Sequence, residues 1–473
     1  MPRFEPMSPR RRRVVFGLLA AIVVVLLLTI WWLDRPIESG GDLAWTGTDF
    51  ASYPEVDLLR RYIRVDTSPI SGSEVDGAEF LAAELKKMGL EPRIERLGEK
   101  SANLWAILEG ESREAVVLHN HIDTTPFGDE GWDFPPLGAE IDHLWLYGRG
   151  AFDMKSVTTA QLLALDHLAD LARSGRKPRR SVIFLATGGE EVGSRLGTRW
   201  ILDQHPELVD RAWAVLTEGG VLEPKSLEEI KYWGIEFAQK RLIEGYLCGQ
   251  SESELARRAA DVIRHAKRRH APWLAPEVAT FTRRYAGSRE NPLYNRLLAE
   301  PETAFADPRQ FALMPDYMKS LFREEIYFFP AQENPGGGGW TTRFLIHLLP
   351  GSDPEAAKAA LLPAWLTHGA TVSFTGVVGA EGGSPLDHEA FVGLVEAVRE
   401  RHPGAPVGPF FLAHAATDAR FFRQAGIPAY GFSPFVIFNI DTFRKDLPNE
   451  RIGLPGYVLG VELYRDVLVR LAG

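Results

Sequence analysis

Cysteine is almost absent: Cys248 is the only one in 473 residues. That excludes an internal disulfide framework and any multi-cysteine zinc site, so a bound metal has to be held by His, Asp and Glu. Positive charge is not in excess either. The formal net charge is −10, which excludes a general nucleic-acid binder because nothing would balance the phosphates. No Gly-Lys-Ser/Thr follows the glycines Gly336–Gly339, so they read as a flexible loop and not as a phosphate cradle. No internal repeat is visible. What remains is an ordinary globular composition, 45% hydrophobic and 25% charged. The length suggests two or three domains at roughly 100–200 residues each.

One apolar run stands out, from Val14 to Trp32 behind the basic block Arg10–Arg13. As a helix it would span roughly 28 Å, close to a ~30 Å hydrocarbon core. Trp31 and Trp32 sit where interfacial aromatics belong, and the Arg block predicts a cytoplasmic N-terminus with the rest of the chain outside, periplasmic or extracellular. A cleaved secretory signal is the alternative, but the run is long for one and no small-x-small cleavage site directly follows it. Residues 1–36 are therefore expected to be a membrane anchor and 37–50 a tether.

Beyond the tether, helical and strand patterns alternate. Gly77–Met88 has helical spacing stopped by Gly89, and Ser156–Ala172 predicts a long helix. Ala115–Leu118, Ser181–Ala186 and Ala212–Leu216 read as buried strands. The expected fold is α/β, a mostly parallel sheet covered by helices on both faces. Residues 234–378 differ in texture, rich in Arg and aromatics, with a strand-like run Thr341–Leu349 and a helix from about Asp353. They predict an inserted α+β lid domain between catalytic parts 51–233 and 379–473.

Polar clusters follow the strands, where open α/β sheets place their sites. In Leu118-His119-Asn120-His121-Ile122-Asp123, the two-residue period puts His119, His121 and Asp123 on one face. Either a packed histidine or a zinc ligand held by a carboxylate fits. Asp153, in Tyr147-Gly148-Arg149-Gly150-Ala151-Phe152-Asp153-Met154-Lys155, reads equally as a helix N-cap or as a carboxylate bridging two metals. Adjacent Glu190 and Glu191 follow the SVIFLA strand. Such a pair is either a solvated turn or a metal ligand beside a general base. Glu218, Asp418 with Arg420, and Asn449-Glu450-Arg451 complete the set.

Taken together, the order and contexts resemble the co-catalytic zinc family of acetylornithine deacetylase, succinyl-diaminopimelate desuccinylase, aminoacylase-1 and carboxypeptidase S. The likeness covers about residues 53–470 and is strongest to the carboxypeptidase S branch. It implies a zinc-exopeptidase-like fold and two zinc ions, with His121 and Glu218 on one and Glu191 on the other, Asp153 bridging, and Asp123 orienting His121. It implies Glu190 as general base toward a water between the metals, in hydrolysis of small peptides or N-acyl amino acids. A homodimer through the inserted domain is one arrangement it allows.

The chain departs from that pattern. The family's last zinc ligand is a histidine in a His-Gly-x-Asn-Glu-Arg context; here Asp446 stands in its place. A carboxylate also binds zinc, so Asp446 is expected as a ligand, with His414 and His119 as weaker substitutes. The family's Arg-x-x-Pro-Gly, which holds the substrate carboxylate, reads His347-Leu348-Leu349-Pro350-Gly351 here, and Arg343 lies on the same strand face. Asp418, Arg420, Arg343 and His347 are the expected substrate contacts. The Gly-His-Ser/Ala segment of the oxyanion histidine is not apparent, and Cys248-Gly249-Gln250-Ser251 stands roughly there. These departures leave a second reading open, a catalytically impaired relative that binds peptides or acyl amino acids.

Overall fold

Strand Arg180–Thr187 (RSVIFLAT) is buried at every position, as a strand covered on both faces must be. In the computed structural model it lies parallel to Ser112–His121, with His121 opposite Thr187, and antiparallel to Ala102–Leu108. The structure describes residues 44–473 except 129, 270, 289–291 and 443. Residues 1–46 and 47–473 form separate units, and the second contains the sheets. Among the described residues no helix is long and apolar enough to cross a membrane. The expected anchor at 1–36 and the tether up to residue 43 lie outside the described residues.

Nine strands form the large sheet. Its order is Arg93–Arg96, Ala102–Leu108, Arg180–Thr187, Ser112–His121, Ala212–Thr217, Ala429–Gly431, Ile230–Gln239, Val407–Leu412, with Val221–Pro224 beside Ile230–Gln239. The expectation of a mostly parallel sheet needs correction. Four pairings are parallel and four antiparallel, so the sheet is mixed. Its parallel centre is the part that carries the site.

Helices Lys155–Arg173 and Leu454–Ala472 pack on each other. Buried polar side chains lock them: the Thr159 and Tyr457 hydroxyls are 2.9 Å apart, and Gln161 donates to the Tyr464 hydroxyl at 3.1 Å. A second core, including Trp105, Val117, Ile183, Leu185, Val215 and Phe422, fills another part of the domain.

The segment expected to be a lid, called the lid below, contains a five-stranded antiparallel sheet. Arg241–Gly249 pairs with Trp340–Leu348 along its whole length and with Thr371–Val378 on its other side. Ile243, Leu247, Phe344 and Ile346 pack on residues such as Leu255, Val262 and Leu361 of the covering helices. The other face turns Leu242, Glu244, Arg343, Leu345 and His347 toward a cavity. The expected boundary at 234 falls inside Ile230–Gln239, which is paired within the large sheet, so lid pairing starts only at Arg241. Between the two strands stands the single residue Lys240, wholly buried, donating to Glu325 at 3.1 Å.

Candidate metal centre

Three adjacent strands end on one side of the sheet, and each leads to a candidate site residue. Ser112–His121 ends in His121, Arg180–Thr187 leads to Glu190 and Glu191, and Ala212–Thr217 leads to Glu218. His121 is 1% exposed. Its Nδ1 lies 2.8 Å from the Asp123 carbonyl oxygen and 3.6 Å from the Asp123 carboxylate. An N–H donated there leaves the Nε2 lone pair for a metal. Nε2 is 3.0 Å from Asp153 Oδ1 and 3.8 Å from Glu218 Oε1.

Asp123 does more than orient His121. Its two carboxylate oxygens accept the backbone N–H groups of Glu190 and Glu191, each at 3.1 Å. The Glu-Glu pair forms a single 3-10 turn between Gly189 (φ 70°) and Gly193 (φ 97°), both left-handed. That backbone suits glycine. The preceding Gly188 is packed so tightly that a Cβ on Gly197 would lie 1.9 Å from its carbonyl oxygen.

Asp153 does not cap the helix. Lys155–Arg173 takes Met154 as its N-cap, with no side-chain capping bond. Glu450 secures the Asp153 segment by accepting from the backbone of Phe152 (2.9 Å) and Asp153 (3.2 Å) and from Arg149 (2.6 Å). Asp446, at φ 61°, accepts from Thr125 Oγ1 at 2.7 Å.

Two groups of potential ligands result: His121, Asp153 and Glu218, and Asp153, Glu191 and Asp446, each with its ligand atoms within 4.8 Å of one another. Asp153 belongs to both. The donor set of one imidazole and four carboxylates fits zinc or another divalent ion of similar hardness. Two further observations fit a cation. Glu191 Oε1 is buried without a hydrogen-bond partner. The local field also favours positive charge: burial disfavours the His121 imidazolium, yet Asp123, Asp153 and Glu218 hold its pKa well above the ordinary value.

The carboxylates respond in the opposite sense. Burial, then Asp153, pushes Glu191 up to about 10, and the same two causes raise Glu218 well above its usual range. Burial, then Asp418, brings Glu190 to about 7. Asp153 resists its own burial because Lys445 and His121 hold it low. The Lys445 ammonium pairs with Asp153 Oδ2. Lys445 escaped sequence reasoning, as did the bracing role of Glu450, since each acts across about 300 residues and no local pattern marks the contact.

The remaining expected residues divide. His119 is a packed core histidine whose ring nitrogens meet Thr217, Thr187 and Thr198 at 2.9–3.0 Å. Asp418 accepts from Ser194 and from Thr198 at 2.6 Å, and so braces the wall. Arg420 faces the cavity, with Nη1 3.7 Å from Glu190 Oε1 and Nε and Nη1 lacking hydrogen-bond partners. Arg343 donates to Glu244 at 2.6 Å and lies over the Phe329 ring. His347 is buried, its pKa driven to about 3 by burial and then Lys240. His414 lines the same cavity and stacks edge-on to Tyr317. That cavity, about 1180 Å³, runs between the ligand cluster and the open face of the lid sheet.

The sequence profile of peptidase family M20/M25/M40 matches residues 117–470. The succinyl-diaminopimelate desuccinylase of Gluconacetobacter diazotrophicus is 36% identical over 157 residues, 32% of this chain and 39% of that protein. The succinyl-diaminopimelate desuccinylase 2 of a Ruegeria species is 37% identical over 152 residues, 31% and 36% of the two chains. The chain thus spans well under half the length of these curated relatives. Among solved structures, the metallo-carboxypeptidase Sso-CP2 of Sulfolobus solfataricus superposes with a TM-score of 0.65 at 17% identity, covering 88% of this chain and 99% of that one. Human carnosine dipeptidase 1 gives 0.64 at 14% identity, covering 88% and 95%. These likenesses concern the fold.

Proposed function

Since the chain belongs to peptidase family M20/M25/M40, we propose that it is a metal-dependent amidohydrolase acting on small peptides or N-acyl amino acids. The observation that carries this reading is the sharing of Asp153 between two ligand groups, with Glu190 beside them and Arg420 3.7 Å from Glu190. The names of the relatives agree in kind: desuccinylase, carboxypeptidase and dipeptidase all describe cleavage of an amide.

His121, Asp153 and Glu218 would hold one divalent ion, and Asp153, Glu191 and Asp446 a second. Bound there, the ions would polarise the scissile carbonyl and acidify water. The protein groups then divide the remaining work. Glu190 takes the proton from the attacking water and passes it to the departing amine. Asp123 fixes Glu190 and Glu191 by their backbone. Arg420, which lines the cavity and has two buried nitrogens without hydrogen-bond partners, pairs with an anionic end of the substrate. Arg343 and His347 face the same cavity from the lid.

The test is Glu190→Gln assayed on blocked dipeptides and on acyl amino acids, with metal content measured in parallel. Lost turnover with full metal supports the reading; full turnover overturns it. A silent binding relative is the second reading, favoured by the Lys445 contact with Asp153. Membrane attachment through residues 14–32 is part of the proposal on sequence grounds, and is tested by fractionating cells that express the chain with and without them.

A further inference from the structure

Lys445 is the one lysine beside the ligand cluster among the described residues. Its ammonium pairs with Asp153 Oδ2, while Asp153 Oδ1 faces His121 Nε2. Both oxygens of the carboxylate that the two ligand groups share are therefore engaged by nitrogen atoms. The surrounding charge favours this. Asp123, Asp153, Glu190, Glu191, Glu218 and Asp446 gather six carboxylates against His121, Arg149, Arg420 and Lys445. Lys445 is also open to solvent on one side: its side chain is 38% exposed, against 4% for Asp153. It sits on the turn that carries Asp446, a few residues after a short helix, Asn439–Thr442.

We propose that Lys445 is a tethered cation that competes with one divalent metal ion for Asp153. An ammonium and a divalent ion cannot occupy the same carboxylate oxygen, since like charges at contact repel. Two states follow. In one, Lys445 holds Asp153 Oδ2, the oxygen that does not face His121, and the chain binds a single metal. In the other, Lys445 turns out to solvent and a second metal enters. The second site therefore fills only at higher metal concentration. This rests on the proposed metal-dependent function, but its readout is metal binding and not turnover.

The experiment strips the full chain with a chelator and titrates it with zinc by calorimetry. Cobalt(II), followed by its visible absorption, gives an independent count of sites. The wild type is expected to bind one ion tightly and a second at least tenfold more weakly. Lys445→Met should bring the second step within a few-fold of the first, and Lys445→Arg, which keeps the charge, should preserve the gap. Two equally tight steps in the wild type, or identical isotherms for wild type and Lys445→Met, would overturn the proposal while leaving the hydrolase reading intact. Absence of zinc binding in all three proteins would overturn both.

Discussion

Asp123 grips Glu190 through the backbone: its Oδ1 accepts the Glu190 N–H at 3.1 Å while its Oδ2 takes that of Glu191. The same residue receives the His121 ring on its carbonyl oxygen, so one aspartate sets the position of a proposed ligand and of the proposed general base. Asp123→Asn presents an amide NH₂ where one of those N–H groups needs an acceptor. Outer partners of ligating groups are typically worth about 10–100-fold. A drop of that size in kcat, with metal retained, is expected from steady-state kinetics and metal analysis.

On the proposed mechanism, Glu190→Gln removes the proton acceptor and keeps the shape. General-base catalysis contributes about 10²–10⁴-fold, so kcat should fall within that range with little change in KM.

Thr125 donates to Asp446 at 2.7 Å from across 321 residues of sequence. Thr125→Val should weaken metal binding at the Asp153–Glu191–Asp446 group by about tenfold. Asp446→Asn, which touches the ligand itself, should cost more. Competition with a zinc-sensitive dye ranks the two, and an unchanged affinity in both would remove Asp446 from the ligand set.

Arg420→Met should raise KM for substrates with a free carboxylate by about 10–100-fold, the worth of a charged hydrogen bond of about 1.5–3 kcal/mol. Substrates with that carboxylate amidated should be indifferent to the change. Equal KM values for both substrate types in wild type and variant would exclude the contact.

His119 contributes a pH dependence of stability. Burial, opposed by Asp418 3.8 Å away, lowers its pKa to about 4, against about 6.5 in the unfolded chain. Below 6.5 the unfolded state binds the extra proton, so stability is full above pH 6.5 and declines as pH falls toward 4. The loss approaches about 3 kcal/mol from this group. Urea midpoints between pH 7 and 4 should fall more steeply for the wild type than for His119→Asn.

Much of the site was legible because it is local. His121, Glu190 and Glu218 each follow an apolar strand run, and a parallel sheet brings such ends together. The helix at Lys155–Arg173 and the strand at Trp340–Leu348 likewise come close to their expected bounds. What the pattern could not carry is pairing. Ala102–Leu108 is as apolar as a parallel strand yet runs antiparallel to Arg180–Thr187. Ile230–Gln239 runs almost without a break into a lid strand, so no turn signal marks residue 240. Asp153 reads as a cap until the backbone shows Met154 in that place. Lys445 sits in an ordinary charged turn, and only the fold sets it against Asp153.

The order of strands in the large sheet also bears on how the protein is made. Ala429–Gly431 lies between Ala212–Thr217 and Ile230–Gln239, and Val407–Leu412 closes the far edge. On the ribosome, the first half of the sheet therefore waits with an open seam while the whole lid is synthesised. Domains generally form as the chain emerges, but here the lid, an interruption, can finish before the domain that surrounds it. Until residue 431 is out, the edge of Ala212–Thr217 stays exposed to other chains.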